Sequence, residues 1–237
     1  MSDFEFAIIG AGIAGASLAA QLSARATVVL IEAEAHPGYH STGRSAAFWV
    51  ECYGGPEVQP LTTASGPFLT VPPADFHDGP LMHKRGALHI GTLDQTPMAD
   101  KMLAEFAASG VQIDVSDRAA VAARVPGLRS DWTHGLWEPD CCDIDVANLH
   151  AAYLRQAKRQ GAVLQCNSRL HAANWQNGTW QIAAGSLNCS AKILINAAGA
   201  WADDVAQLAQ VRPLGIQPYR RTIAQLIVSP DVPADLP

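Results

Sequence analysis

Two groups of residues have types and spacing suited to chemistry. The first is Gly10-Ala11-Gly12-Ile13-Ala14-Gly15, with Glu32 twenty positions beyond Gly12. Gly10 permits a tight turn, Gly12 lets a pyrophosphate approach the backbone at a helix N-terminus, and Gly15 lets helix and strand pack closely. A carboxylate at Glu32 can accept hydrogen bonds from ribose hydroxyls and repels a 2′-phosphate, which argues against NADP. The second group is Gly38-Tyr39-His40-Ser41-Thr42-Gly43-Arg44-Ser45-Ala46-Ala47-Phe48-Trp49. Its small side chains and amides suit close approach of a second phosphate and a flat ring, which a plain NAD domain does not need. The same stretch also reads as an ordinary loop running into a helix capped by Ser41 or Thr42.

These groups need elements to hold them. Phe4–Gly10 is an apolar run that stops at glycine, as a buried parallel strand does. Ala14–Arg25 has helical spacing, with Leu18 and Leu22 four apart, and Thr27–Ile31 is a second β-branched strand ending at Glu32. The order is strand, glycine turn, helix, strand, acid, which is a dinucleotide-binding unit. Farther on, helices are expected after Pro60, over Asp94–Ser109, over Arg118–Arg124 and over Val146–Gln160. Strands are expected at Ala87–Gly91, Gly135–Glu138 and Ala162–Cys166, the last of them buried. Asn177-Gly178 is a hairpin turn between His171–Asn174 and Trp180–Ala184. Lys192–Asn196 reads as a buried strand leading through Ala197-Ala198-Gly199 into a helix, and a last strand is expected over Ile223–Val228.

Composition excludes several classes. The chain has 237 residues, 49% hydrophobic and 16% charged, with a net charge of −6. That is too apolar for disorder and carries no basic stripe for nucleic acid. Phe6 to Ala24 is uncharged, but it is interrupted by Gln21 and serines and preceded by Asp3 and Glu5, so neither a membrane span nor a signal peptide is expected. An odd count of five Cys reads as reduced thiols and a cytoplasmic location. Cys141-Cys142 lack metal-ligand spacing, the eight His are scattered, and no metal site is expected. Trp175 and Trp180 read as packing residues of the hairpin, and the absence of a Gly-x-Ser-x-Gly elbow leaves a serine hydrolase unsupported.

The glycine motif, Glu32 and the Gly38–Ala47 loop together resemble the FAD-dependent D-amino-acid oxidase/dehydrogenase superfamily, and the loop most resembles its D-arginine dehydrogenase branch. The resemblance runs over nearly the whole chain. It implies an α/β fold: a Rossmann-like FAD-binding domain of the glutathione-reductase type (1–80 and 140–212), interleaved with an incomplete α+β substrate domain (81–139 and 213–237). The implied FAD-binding residues are Gly10, Gly12, Ile13, Ala14, Gly15, Glu32, Ala33, Ser41, Thr42, Gly43, Arg44, Ser45, Ala46, Ala47, Leu170, Ala197, Ala198, Gly199 and Trp201. Small side chains at Ala197, Ala198 and Gly199 would keep that approach open.

The implied reaction is oxidation of a D-2-amino acid to an imine and then a 2-oxo acid. Arg221 matches the family arginine that holds the substrate carboxylate through a planar fork; the tandem Arg220 leaves the choice between them open. Ser45 and Ala46 would lie beside the flavin at a helix start. Tyr53 matches a family tyrosine near the substrate, as a hydrogen-bonding hydroxyl or as a wall. Where the D-arginine branch has a His, this chain has Phe48. That branch has an acid near the position of Ala87, and Met82–Ile90 here contains no carboxylate. A neutral or apolar substrate side chain is therefore expected. The electron acceptor, quinone or oxygen, stays open. The resemblance also implies further sequence after this point, so that a truncated or split enzyme is expected. Related activities on glycine, secondary amines or 2-hydroxy acids, and an inactive FAD-binding fragment, remain alternatives.

Overall fold

The computed structural model describes residues 2–224 and 227. In chain order the elements are β1 (Ser2–Ile9), α1 (Ile13–Leu22), β2 (Val28–Ile31), a 3-10 turn (Thr42–Arg44), β3 (Phe48–Trp49), α2 (Gln59–Thr70), β4 (Met82–Lys84), β5 (Ala87–Thr92), a 3-10 turn (Leu93–Gln95), α3 (Thr96–Phe106), β6 (Asp114–Asp117), α4 (Arg118–Arg124), β7 (Trp132–Glu138), β8 (Cys142–Ile144), α5 (Val146–Arg159), β9 (Val163–Gln165), β10 (Leu170–Gln176), β11 (Thr179–Ala184), β12 (Leu187–Asn196), a 3-10 turn (Gly199–Trp201) and α6 (Ala202–Leu208). None of the helices among the described residues is long and apolar enough to cross a membrane. The elements fall into two compact units: Met1–Ser45 with Val146–Ile223, and a second whose main segment is Ala46–Asp145.

The first unit is built on a six-stranded sheet in the order β10-β11-β12-β1-β2-β9. β12, β1, β2 and β9 run parallel, and the β10–β11 hairpin continues the sheet antiparallel. Ala7–Ile9 of β1 and all of β2 are buried and lack polar alternation because both faces are covered there. On one face Ile8, Val28 and Leu30 pack with Ala19 and Ala20 of α1 and Ala157 of α5. On the other, Ala7, Ile9, Val29 and Ile31 meet Val205 and Ala209 of α6 and its extension, together with Leu170 and Ile182 of the hairpin. Asn177 and Gly178 both have positive φ, 53° and 80°, as the hairpin turn requires.

The second unit has two three-stranded antiparallel sheets, β3-β8-β4 and β5-β7-β6, with α2, α3 and α4. α4 begins where the Asp117 carboxylate accepts the Ala120 N–H at 2.8 Å, and it ends before Pro126.

Three expectations are corrected. The helix expected after the Gly38 loop is a single 3-10 turn, so Ser45, Ala46 and Ala47 do not begin a helix; Ser45 is extended. The Ala47 carbonyl instead accepts the Ile144 N–H at 2.9 Å, which draws the chain into the β3–β8 pairing. The segment 162–166 forms an edge strand and not a buried one: Val163 and Leu164 are 43% and 41% exposed. The end of β12 is likewise half-covered, with Ile193 48% exposed. The strand expected over Ile223–Val228 lies partly outside the described residues, and Ile223, Ala224 and Ile227 are in no strand.

Candidate functional site

The C-terminal ends of β1, β2 and β12 open onto a cleft of about 340 Å³ in the first unit. β1 ends in the Gly10–Gly12 turn. Gly10 has φ 102°, and a Cβ there would lie 2.5 Å from the Ala197 carbonyl oxygen, so the turns after β1 and β12 lie back to back. A Cβ on Gly15 would lie 1.9 Å from the Gly10 carbonyl oxygen and 3.3 Å from Leu30 Cδ1. Only glycine at 15 lets α1 dock this closely.

α1 starts at Gly12, and its first internal bond runs from Ala16 N–H to the Gly12 carbonyl at 2.9 Å. The amides of Ile13, Ala14 and Gly15 therefore precede the helix's own ladder. The Ile13 amide donates to Thr42 Oγ1 at 2.9 Å. Thr42 thus caps α1 from a loop twenty-nine residues later, and does not cap a helix of its own. The absence of a side chain at Gly12 and the amides at this helix start suit an anion such as a pyrophosphate.

Glu32 is buried at the end of β2. Its Oε2 accepts the Ala11 N–H at 2.9 Å and its Oε1 accepts the Glu34 N–H at 3.0 Å. Each oxygen retains a further lone pair for a ribose hydroxyl. From α5, buried His150 donates from Nε2 to the Ala11 carbonyl at 2.8 Å and fixes the glycine turn from behind. Asn196 shapes the opposite lip: Oδ1 accepts the Ala198 N–H at 3.2 Å and Nδ2 donates to the Ala202 carbonyl at 2.7 Å. Trp201 packs against His40 with ring centroids 4.4 Å apart, and His40 Nε2 meets Glu34 Oε1 at 3.0 Å. The residues fit a dinucleotide: amides at a helix start, a buried carboxylate and small residues around one cleft.

Of the residues expected to bind cofactor, Gly10, Gly12, Ile13, Ala14, Glu32, Ala33, Ser41, Thr42, Leu170, Ala197, Ala198, Gly199 and Trp201 line this cleft. Gly15 lies beneath it as a packing residue. Gly43, Arg44, Ser45, Ala46 and Ala47 are not among the lining residues. Gly43 closes the loop by donating to the Gly38 carbonyl at 2.7 Å, and the Arg44 guanidinium lies 5.1 Å from the Tyr39 ring centre. Tyr53 is 68% exposed in the second unit, and Arg221 is exposed in a stretch without regular structure. The sequence reading missed Glu34, His40, Ser168, Arg169, Asp204 and Leu208, which also line the cleft. His40 stands inside the quoted loop motif, whereas Ser168 and Arg169 carried no local signal.

Comparison with known proteins agrees with this geometry. The family described as "DAO: FAD dependent oxidoreductase" matches residues 5–236. The fold is similar to that of L-alpha-glycerophosphate oxidase from Mycoplasma pneumoniae, solved with FAD bound, at a TM-score of 0.78 and 18% identity, covering 89% of this chain and 58% of that one. Glycine oxidase from Geobacillus kaustophilus gives 0.78 and 16%, covering 88% and 58%. L-amino acid deaminase from Proteus vulgaris gives 0.72 and 17%, covering 87% and 50%. The chain thus spans little more than half the length of these structures. With a family match over nearly all of its residues, the protein belongs to the DAO family of FAD dependent oxidoreductases.

Proposed function

We propose that this chain carries the FAD site of an enzyme that oxidises a D-2-amino acid with a neutral or apolar side chain, of the type found in the D-arginine dehydrogenase branch. The observation that carries the reading is the cleft at the ends of β1, β2 and β12, with buried Glu32 beside the α1 N-terminus. Bound FAD would supply the hydride acceptor for conversion of the amino acid to an imine, which hydrolyses to the 2-oxo acid.

In this reading the Gly12 turn and the Ala14 amide face the pyrophosphate, Glu32 holds a ribose, and the turn from Ala197 to Gly199 lies against the dinucleotide. Gly43, Arg44, Ser45, Ala46 and Ala47 serve the flavin end. Arg221 grips the substrate carboxylate and Tyr53 lies near the substrate, with Ser45 beside the reacting centre. The FAD-binding domain is assigned to 1–80 and 140–212, and substrate binding to 81–139 and 213–237. The enzyme is proposed to be longer than this chain, as the 58% coverage of the structural relatives supports. Five free thiols support a cytoplasmic location.

Side-chain preference rests on Ala87. The residue paired with it on β7 is Glu138, a carboxylate that already accepts from His89 and Cys52, both at 2.6 Å. Ala87 itself carries no charge for a guanidinium, and Met82–Ile90 around it contains no carboxylate.

The variety of relatives, which includes a glycine oxidase and a glycerophosphate oxidase, favours a second reading. In it the substrate is glycine, a secondary amine or a 2-hydroxy acid, or the chain binds FAD without turning over. The test is the visible spectrum of the purified protein before and after anaerobic addition of single substrates. Bleaching of a bound yellow flavin by D-Met or D-Phe, faster than by D-Arg, is expected. A large D-Arg advantage overturns the side-chain preference. Bleaching only by glycine or a 2-hydroxy acid moves the enzyme to the second reading.

A further inference from the structure

The second unit holds a cluster of three side chains with ligand atoms suited to a metal ion. His89 is on β5 and Glu138 on β7, and the register pairs Ala87 with Glu138 and His89 with Leu136. His89 and Glu138 are therefore diagonal neighbours on one face of a hydrogen-bonded strand pair. Cys52 reaches them from the turn after β3. His89 Nε2 and Cys52 Sγ each lie 2.6 Å from Glu138 Oε1, and Cys52 Sγ lies 3.9 Å from His89 Nε2. The three ligand atoms all fall within 4.8 Å of one another.

We propose that Cys52, His89 and Glu138 form a binding site for one divalent transition-metal cation of the zinc class, with a fourth coordination position open to water or a small ligand.

The donor chemistry selects the class. A thiolate and an imidazole disfavour Mg²⁺ and Ca²⁺, which take oxygen ligands, whereas one S, one N and one carboxylate O is a three-protein-ligand set suited to Zn²⁺. Zinc–ligand bonds of about 2.0–2.3 Å put ligand atoms about 3.3–3.6 Å apart around a tetrahedral ion. The Cys52–His89 separation of 3.9 Å is already close to this. The two 2.6 Å contacts are hydrogen bonds bridged by protons, and a metal would replace those protons and open the contacts by about 1 Å.

Burial gives the site a reason to attract a cation. The Glu138 side chain is only 4% exposed, while that of His89 beside it is 43% exposed. A buried carboxylate is held charged only by close compensation. Binding a metal would release the Cys52 thiol proton to solvent and leave the thiolate as ligand.

The test uses the full chain, stripped with a chelator, desalted and titrated with Zn²⁺ by calorimetry, with Co²⁺ as spectroscopic probe. The expected result is one equivalent of Zn²⁺ and a thiolate-to-cobalt charge-transfer band, seen as a difference spectrum over any flavin absorbance. Cys52→Ser is expected to abolish the band and weaken Zn²⁺ binding by about 100-fold or more, beyond the effect of losing an outer-shell partner. His89→Ala, at a side chain exposed enough to be replaced without unfolding, is expected to weaken Zn²⁺ similarly. Cys166→Ser, in the first unit, is expected to leave both readouts unchanged. Absence of stoichiometric Zn²⁺ binding, or binding equal in the parent, Cys52→Ser and His89→Ala proteins, overturns the proposal.

Discussion

The cleft of the first unit and the Cys52–His89–Glu138 cluster of the second are built on opposite principles. In the cleft, apart from the Glu32 carboxylate, the groups set toward a ligand are backbone amides and small residues, and the decisive feature of Gly10, Gly12 and Gly15 is the atoms they lack. In the cluster, three functional side chains make the site, and the backbone only fixes their spacing through the β5–β7 ladder. A site defined by missing atoms is damaged by addition, and a site made of side chains is damaged by deletion.

That contrast yields graded expectations. The largest effect is expected for Gly15→Val, because the added atoms would meet the Gly10 carbonyl, which is backbone and cannot swing aside. A loss of about 3 kcal/mol or more is expected in denaturant unfolding, with loss of bound flavin. Near-native stability would mean that α1 docks less tightly than described here. Next is Glu138→Ala, which removes the acceptor shared by Cys52 and His89. About 2 kcal/mol is expected from chemical denaturation, with flavin content per folded protein unchanged. A fall in flavin content would show that the two sites are coupled and blur the contrast.

Thr42→Val keeps the shape but removes the acceptor of the Ile13 amide. A cost of about 1 kcal/mol is expected, measured the same way, because one helix cap is lost. The smallest effect is expected for Leu164→Thr on the exposed edge strand β9, within about 0.5 kcal/mol. A larger loss there would show that β9 is covered in solution.

Legibility in the sequence followed the same division. β1, α1, β2 and Glu32 were readable because glycine spacing, helical periodicity and the β-branched run all lie within the first 32 residues. The loop after Gly38 was misread as entering a helix because the partner of the Thr42 hydroxyl is Ile13, far back in the chain. Val163-Leu164 has the apolar content of a buried strand, and only its place at the end of the sheet order exposes it. Cys52, His89 and Glu138 are separated by tens of residues. Cysteine spacing carried no hint of them, since what joins them is the pairing of β5 with β7.

The central position of β1 has a consequence for how the chain is made. One neighbour, β2, follows within 30 residues, but the other is β12, and the Ser190 hydroxyl that meets Asp3 lies 187 residues downstream. At about 5–20 residues per second of synthesis, the amino-terminal half of the cofactor site waits roughly 10–40 s on the ribosome with one side of its first strand unpaired. Such long-range closure is intrinsically slow and leaves an apolar strand open to wrong partners meanwhile. How well that waiting strand is shielded is a matter of timing that equilibrium contacts do not record.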